Sequence, residues 1–249
     1  MFYEPGKTPH GLKKDPFKSC VVPRPIGWIS TLNKDGSANL APYSQFAHLT
    51  FSPPYVMFAA NVKDSGERKD NVENAERTQE FCWSLATYDL REEMNKSATE
   101  VPYGVDEFEL AGLEKGYGSL VKSPFVKASP INFECVHHTT LRLPGDGVGA
   151  SVDVVIGRVV GIHIDESVLT DGEIDIKKTV PIARCGGPNY AAIRDVCMFK
   201  MVTPKGPVAP APDSENAQAK EETIGMANGG EKKPSEGHDS ERGERSPCS

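Results

Sequence analysis

Lys69-Asp70-Asn71-Val72-Glu73-Asn74 is a stretch whose residue types can hold an anion at the start of a helix. A helix N-terminus presents free amide hydrogens and the positive end of the backbone dipole, which suits a phosphate. Lys69 adds a full charge. The same residues also make a plain helix start, with Asp70 as N-cap and Glu73 three residues on as its capping-box partner. Two arginines offer similar chemistry. Arg24 stands between Pro23 and Pro25, which stiffen its backbone, and can pair with a phosphate or with a carboxylate of a partner subunit. Arg184 precedes Cys185-Gly186-Gly187, where glycine opens backbone conformations closed to other residues.

Other suggestive patterns fail on context. Gly145-Asp146-Gly147-Val148-Gly149-Ala150 fits a loose dinucleotide fingerprint, which needs a strand before it and a helix after it. SVDVVIGRVVGIHI follows and reads as strand, so the glycines mark a hairpin loop. His137 and His138 are adjacent on a predicted strand and point to opposite faces, so one metal ion does not fit both. The six cysteines are irregularly spaced, with no C-x-x-C pair. Together with an N-terminus that has no apolar leader, this predicts reduced thiols and a cytoplasmic protein without a structural metal.

The elements around these residues are mainly strands. GWISTLN, a turn at Lys34-Asp35-Gly36 and SANLAPYS read as a hairpin. YVMFAANV, EFCWSLAT, INFECVHHTTLRL and SVDVVIGRVVGIHID add four more strands. Helices are predicted over KDNVENAERTQEF, LREEMNKSATE and PNYAAIRDV. Several strands with a few helices between them predict a barrel with helical decoration. From Pro204 to Ser249 no Phe, Trp, Tyr or Leu occurs, so residues 204–249 are predicted to be a disordered tail. The net charge of -7, with no basic face, argues against nucleic acid. No run approaches the apolar length of a membrane helix.

Four segments in order carry a resemblance. They are Val22-Pro23-Arg24-Pro25-Ile26-Gly27-Trp28-Ile29-Ser30-Thr31; Asn39-Leu40-Ala41-Pro42-Tyr43-Ser44-Gln45-Phe46 with Phe51-Ser52-Pro53-Pro54; Lys69 to Asn74; and Pro181-Ile182-Ala183-Arg184-Cys185-Gly186-Gly187-Pro188-Asn189-Tyr190. Glu109-Leu110-Ala111-Gly112-Leu113 lies between the last two. From Phe17 to Phe199 the chain resembles the flavin reductase-like, FMN-binding split-barrel family. The resemblance implies a mainly β fold: an antiparallel FMN-binding split β-barrel with a few helices, over residues 1–203. It implies a homodimer with FMN near the subunit interface and NADH or NADPH as electron donor. The activity implied is that of an FMN-binding oxidoreductase of flavin reductase type. A non-catalytic flavin carrier or sensor is the alternative, and a barrel that has lost the cofactor is a third reading.

The resemblance also implies site residues. Trp28, Ser30 and Thr31 lie where the first barrel strand meets the flavin, with hydroxyls and amides for ring oxygens and ribityl hydroxyls, or they are an ordinary strand end. Asn39, Ala41, Pro42, Tyr43 and Ser44 pass along the isoalloxazine ring, where small Ala41 permits close approach and Pro42 interrupts strand pairing. Tyr43 and Phe46 fit equally well as core aromatics. Lys69, Asp70 and Asn71 face the phosphate, although the family commonly has threonine where Asn71 stands. Arg184 serves phosphate or flavin edge, Gly186 the closing turn, and Tyr190 stacks near the ring or simply packs. No acid, base or nucleophile is required if the flavin carries the chemistry. His48 is the histidine nearest by position for an acid/base role.

Overall fold

Burial alternates along the longest strands, as a sheet with one face on the core requires. Between Ser151 and Val159 every second residue is buried. The computed structural model describes residues 1–147 and 150–204. Met1–Phe199 form one compact unit. Within it a short helix α1 (Phe17–Cys20) leads into β1 (Arg24–Pro25) and β2 (Gly27–Leu32). A turn returns the chain as β3 (Ala38–Tyr43), and β4 (Phe46–Phe51) and β5 (Pro54–Asn61) make a second hairpin. Helix α2 (Asp70–Thr78) precedes β6 (Glu80–Ser84). Two short helices, α3 (Arg91–Lys96) and α4 (Glu107–Ala111), are followed by β7 (Lys115–Gly116) and β8 (Phe125–Val126). The long hairpin of β9 (Ile131–Pro144) and β10 (Ser151–Ile164) comes next. The chain then makes β11 (Leu169–Thr170), β12 (Glu173–Ile174), α5 (Ile176–Thr179), β13 (Ile182–Arg184) and β14 (Tyr190–Ala192).

Seven strands form one antiparallel sheet in the order β3-β2-β6-β9-β10-β5-β4. Its two edges, β3 and β4, are consecutive in sequence and joined by Ser44 and Gln45. The described residues form no β3–β4 ladder, so the barrel is split there. Ile29, Tyr43, Phe58, Phe81 and Val155 belong to one buried apolar cluster, with Val72 of α2. Trp28, Leu40, Met94, Phe108 and Ile182 form a second, which docks α3 and α4. Strand β2 feeds both by alternation, Ile29 into the first and Trp28 into the second. A separate three-stranded sheet, β1-β13-β14, sets Arg24 opposite Arg184 and Arg184 opposite Tyr190.

The predicted mainly β split barrel is the observed fold, and two local expectations change. PNYAAIRDV is no helix: it is strand β14 followed by a 3₁₀ turn at Asp195–Cys197. Gly186 and Gly187 both take positive φ, and Asn189 N–H donates to the Gly186 carbonyl. That turn folds β14 back onto β13 and commits the segment to a hairpin. LREEMNKSATE is helical only to Lys96. His137 and His138 sit at a bulge where Gly157 pairs with His137 and Ile156 with Thr139. His137 meets Thr140 Oγ1 at 2.9 Å, and the His138 ring stands edge-on to Tyr55. The Gly145–Ala150 motif joins β9 to β10, with Val148 and Gly149 outside the described residues. The predicted tail also lies outside them beyond Pro204.

Candidate functional site

A cavity of about 640 Å³ opens where the barrel is split. Ser44 and Gln45 line it from the β3–β4 connection, and Asn61 from the end of β5. Phe17, Lys18 and Val21 come from α1 and its exit. The small sheet contributes Arg24 and Arg184, with Gly187 beside them. The wall therefore carries three cationic side chains, three neutral polar ones and no carboxylate. Such a wall attracts an anion and offers hydrogen bonds without opposing charge.

Local contacts explain why these residues converge. Arg24 Nη1 donates to the Lys18 carbonyl at 2.6 Å and to the Val21 carbonyl at 2.7 Å, which ties α1 to the small sheet. Gly186 has φ +87°, and a Cβ there would stand 2.5 Å from Ser19 Oγ and 3.1 Å from the Lys18 carbonyl oxygen. Only glycine lets the closing segment approach α1 so nearly. The Arg184 guanidinium lies 4.7 Å from the Tyr190 ring centroid and donates to its hydroxyl.

A smaller cavity of about 120 Å³ lies on the other side of the end of β3. Asn39, Ala41, Pro42 and Tyr43 line it, facing Lys63, Lys69 and Asp70. Thr99, Glu100 and Glu107 complete its charged and polar wall. Its volume holds a few waters or a phosphate, not a ring system. Its cations are engaged: Lys63 Nζ meets Asp70 at 2.7 Å, and Lys69 Nζ meets Glu100 at 3.0 Å. The first pair is well buried, and Asp70 keeps the Lys63 ammonium protonated against the effect of burial. The second is half-exposed and adds little stability, so Lys69 is free to exchange partners.

Glu107 is buried in this wall. Its carboxylate accepts from Asn39 Nδ2 at 2.8 and 3.0 Å and from Leu40 N–H at 2.8 Å. Burial dominates all the same, and with Asp70 and Asp106 nearby it raises the carboxyl pKa to about 7. The folded state thus holds this proton more tightly than the unfolded chain, and stability falls as pH rises from the ordinary carboxylate range through 7. Relative to Glu107→Gln, the natural chain is expected to lose about 1–3 kcal/mol between pH 4.5 and 8. Urea unfolding of both proteins at the two pH values measures it. Parallel pH dependence of the two would refute the assignment.

The sequence-predicted residues divide into three groups. Arg24, Ser44 and Arg184 line the larger cavity, with Gly186 behind it and Tyr190 held by Arg184. Asn39, Ala41, Pro42, Tyr43, Lys69 and Asp70 line the smaller one. Trp28, Ser30, Thr31 and Asn71 line neither; all four are fully buried. Trp28 Nε1 donates to Ser97 Oγ at 3.0 Å, and Ser30 Oγ donates to the Pro124 carbonyl. Thr31 Oγ1 donates to Asn71 Oδ1 at 2.8 Å, and Asn71 Nδ2 donates to the Tyr43 hydroxyl and the Ile29 carbonyl, each at 3.3 Å. This network fastens α2 to β2 and β3. Burial also keeps the Tyr43 phenol well above its ordinary pKa, so it stays neutral. Asp70 is not the N-cap of α2: Lys69 holds that position without a side-chain cap, and the Asp70 carboxylate is taken by Lys63. His48 is exposed on β4 and lines neither cavity.

Lys18, Gln45, Asn61, Lys63, Glu100 and Glu107 complete the two walls and carry no motif of their own. Gln45 lies within the second of the four segments, Lys18 stands four residues before the first, and Glu107 lies two residues before Glu109-Leu110-Ala111-Gly112-Leu113. The other three come together only through the fold.

The chain is similar to known proteins in sequence and in fold. A protein of Aquifex aeolicus is 33% identical over 182 residues, covering 73% of this chain and 90% of the relative. A protein of Deinococcus radiodurans is 33% identical over 183 residues, covering 70% and 78%. The solved structure of nitrilotriacetate monooxygenase component B from Bacillus cereus is 29% identical, has a TM-score of 0.74 and covers 81% of this chain and 98% of its own. A split-barrel protein from Shewanella frigidimarina, 23% identical with a TM-score of 0.61, shares the fold over 72% of this chain and 86% of its own. The model of the flavin reductase like domain matches residues 19–178, most of the barrel and its decoration, and the chain belongs to that family.

Proposed function

We propose that the chain binds FMN at the split of the barrel and reduces it with NADH or NADPH, as a homodimer. The observation that carries this reading is the cavity of about 640 Å³ walled by Lys18, Arg24 and Arg184 with no carboxylate among its lining residues. A phosphorylated, flat, polar-edged ligand suits that wall. Lys18, Arg24 and Arg184 would hold the phosphate or the electron-rich edge of the ring. Ser44, Gln45 and Asn61 supply hydrogen bonds, and Ala41 and Pro42 leave the neighbouring strand end without bulk. Bound FMN would supply the hydride-accepting group. The guanidiniums stabilise negative charge that develops beside them, in fixed positions that need no reorganisation. No side chain need donate a proton, consistent with the placement of His48 away from both cavities.

The second copy is supported by an exposed apolar face on the long hairpin. Val136, Leu141 and Leu143 on β9 and Val160, Ile162 and Ile164 on β10 are each at least 39% exposed. Val160, Ile162 and Ile164 alternate along one face of β10, and Leu141 and Leu143 lie toward the loop end of the hairpin, so the apolar exposure runs along the hairpin, and an exposed stretch of that kind is normally covered in solution.

The test is an absorption spectrum of the protein after addition of excess FMN and gel filtration. Flavin bands co-eluting with protein at the mass of two chains, bleached anaerobically by NADH or NADPH, are the expected result. No retained flavin, with no quenching of FMN fluorescence on titration, would refute flavin binding. Retained flavin that neither nicotinamide reduces would refute the reductase reading alone.

A further inference from the structure

A third cavity, of about 520 Å³, lies against the N-terminal segment. Tyr3, Pro5, Gly6, His10, Asp15 and Phe17 line it. All six precede Ser19, where the match to the flavin reductase like domain begins. The volume is that of a small-ligand site. Short-range hydrogen bonds hold its walls. The Glu4 carbonyl accepts from Lys7 N–H and Thr8 N–H, each at 3.0 Å, and Glu4 N–H donates to Thr8 Oγ1 at 2.8 Å. The Tyr3 ring stands edge-on to the His10 ring, with centroids 5.6 Å apart. Phe17 opens α1, which Arg24 clamps through the Lys18 carbonyl. Phe17 also lines the cavity at the barrel split, so its ring is a wall common to both.

Three rings around one space select a flat, apolar ligand. The polar groups narrow its class. Leu12 N–H donates to His10 Nδ1 at 3.0 Å, so the neutral imidazole carries its proton on Nε2 and has a donor to offer. Asp15 Oδ1 accepts from Phe17 N–H at 2.9 Å, and its other oxygen has no partner among the described residues. The wall holds no lysine or arginine, and its carboxylate opposes a benzoate or a phosphate. An organic cation would suit the rings and the carboxylate. It has no use for the imidazole donor, however, and Lys13 and Lys14 directly precede Asp15. A neutral ring with oxygen on its edge uses every group. As a quinone it accepts from His10, and as a hydroquinone it also donates to Asp15.

We propose that this cavity binds a quinone, the acceptor of electrons from the flavin at the split. Tyr3 and Phe17 flank its ring, and His10 Nε2–H holds one of its oxygens. The quinone takes up two electrons and two protons and becomes a hydroquinone; these are the two hydrogens that a dihydroflavin gives up on returning to flavin. The assignment rests on the flavin reading for its purpose. Its site is independent of that reading and is tested without flavin.

The experiment is equilibrium dialysis of duroquinone, whose four methyl groups block addition of thiols, against the full chain without FMN. The natural protein is compared with Tyr3→Ala, which removes one ring, and with His10→Phe, which keeps a ring and removes the donor. Saturable binding that weakens about fivefold in each variant, while FMN retention is unchanged, is the expected result. In turnover the same variants raise KM for duroquinone and leave nicotinamide-driven reduction of bound flavin unaltered. Absence of saturable binding, equal binding by all three proteins, or tighter binding of choline or benzoate than of duroquinone would overturn the assignment. Duroquinone bound by the natural protein and lost in the variants, from a chain that never retains FMN, would uphold this site and remove the flavin reading. Flavin retained and reduced by a chain that binds no duroquinone would overturn this site alone.

Discussion

Glu134→Ala is expected to lower the unfolding free energy by about 2–4 kcal/mol, the cost of leaving two backbone amides without their acceptor and of the void the side chain vacates. Glu134 lies on β9 and is 1% exposed. One carboxylate oxygen accepts from Leu120 N–H at 2.7 Å and Val121 N–H at 2.8 Å, and the other meets His163 Nε2 at 2.8 Å. Burial alone would raise its pKa. The two backbone amides and His163 outweigh that effect and hold the carboxyl below its ordinary range. Its contribution is therefore complete above the ordinary carboxylate range and is lost as pH falls through the depressed value. Alanine leaves the amides without an acceptor and opens a void beside Gly118 and Gly161, where a Cβ would stand 2.1 and 2.9 Å from this side chain.

The loss extends beyond one residue. Glu80, on the adjacent strand β6, accepts from Lys122 N–H at 2.8 Å and Ser123 N–H at 2.9 Å. Two carboxylates on neighbouring strands thus stitch one connecting segment to the barrel, and Ser30 reaches the carbonyl of Pro124 in the same segment. Glu134→Gln keeps an acceptor for both amides but loses the charge, so its cost is expected to be smaller, about 1–2 kcal/mol. Urea unfolding at neutral pH checks both. A Glu134→Ala midpoint equal to that of the natural chain would show that the stitch carries no stability.

Glu134 also shows where the sequence is silent. It sits in INFECVHHTTLRL, whose residue types predict a strand and say nothing of the role of its one acidic residue. Its value comes from Leu120, Val121 and His163, which only the fold brings near. The same division runs through the candidate site. The strands were legible because β-branched and aromatic runs between turn residues leave few alternatives. The start of α2 was legible as a helix, yet the side chains there changed roles. Asn71 and Thr31 read as ligand groups, and in the fold they hydrogen-bond each other beneath the helix. A hydroxyl or amide is equally suited to a ligand or to a buried partner, and burial decides between them. Arg24 and Arg184 were legible as cations near glycine and proline, but not their pairing across β1 and β13. Their shared cavity with Lys18 is a tertiary fact.

That cavity makes the larger functional prediction. Arg184→Ala is expected to raise the Kd for FMN about 10–100-fold, since a hydrogen bond to a charged group contributes roughly 1.5–3 kcal/mol. Arg184 is the informative position because its loss leaves α1 in place, whereas Arg24 also holds the carbonyls of Lys18 and Val21. Lys18→Ala removes a point charge from the same wall and is expected to cost less. Riboflavin, which lacks the phosphate, separates the two possible duties of these cations. If they hold the phosphate, riboflavin binding is weak in the natural chain and nearly indifferent to Arg184→Ala. Its dependence on salt is then also shallow, while that of FMN is steep. If they face the ring edge, FMN and riboflavin lose affinity together. Fluorescence quenching titrations of both ligands at two ionic strengths read all of this directly. FMN affinity unchanged in both Arg184→Ala and Lys18→Ala would move the cofactor away from the barrel split and leave the smaller, Lys69-lined cavity as the place to look for its phosphate.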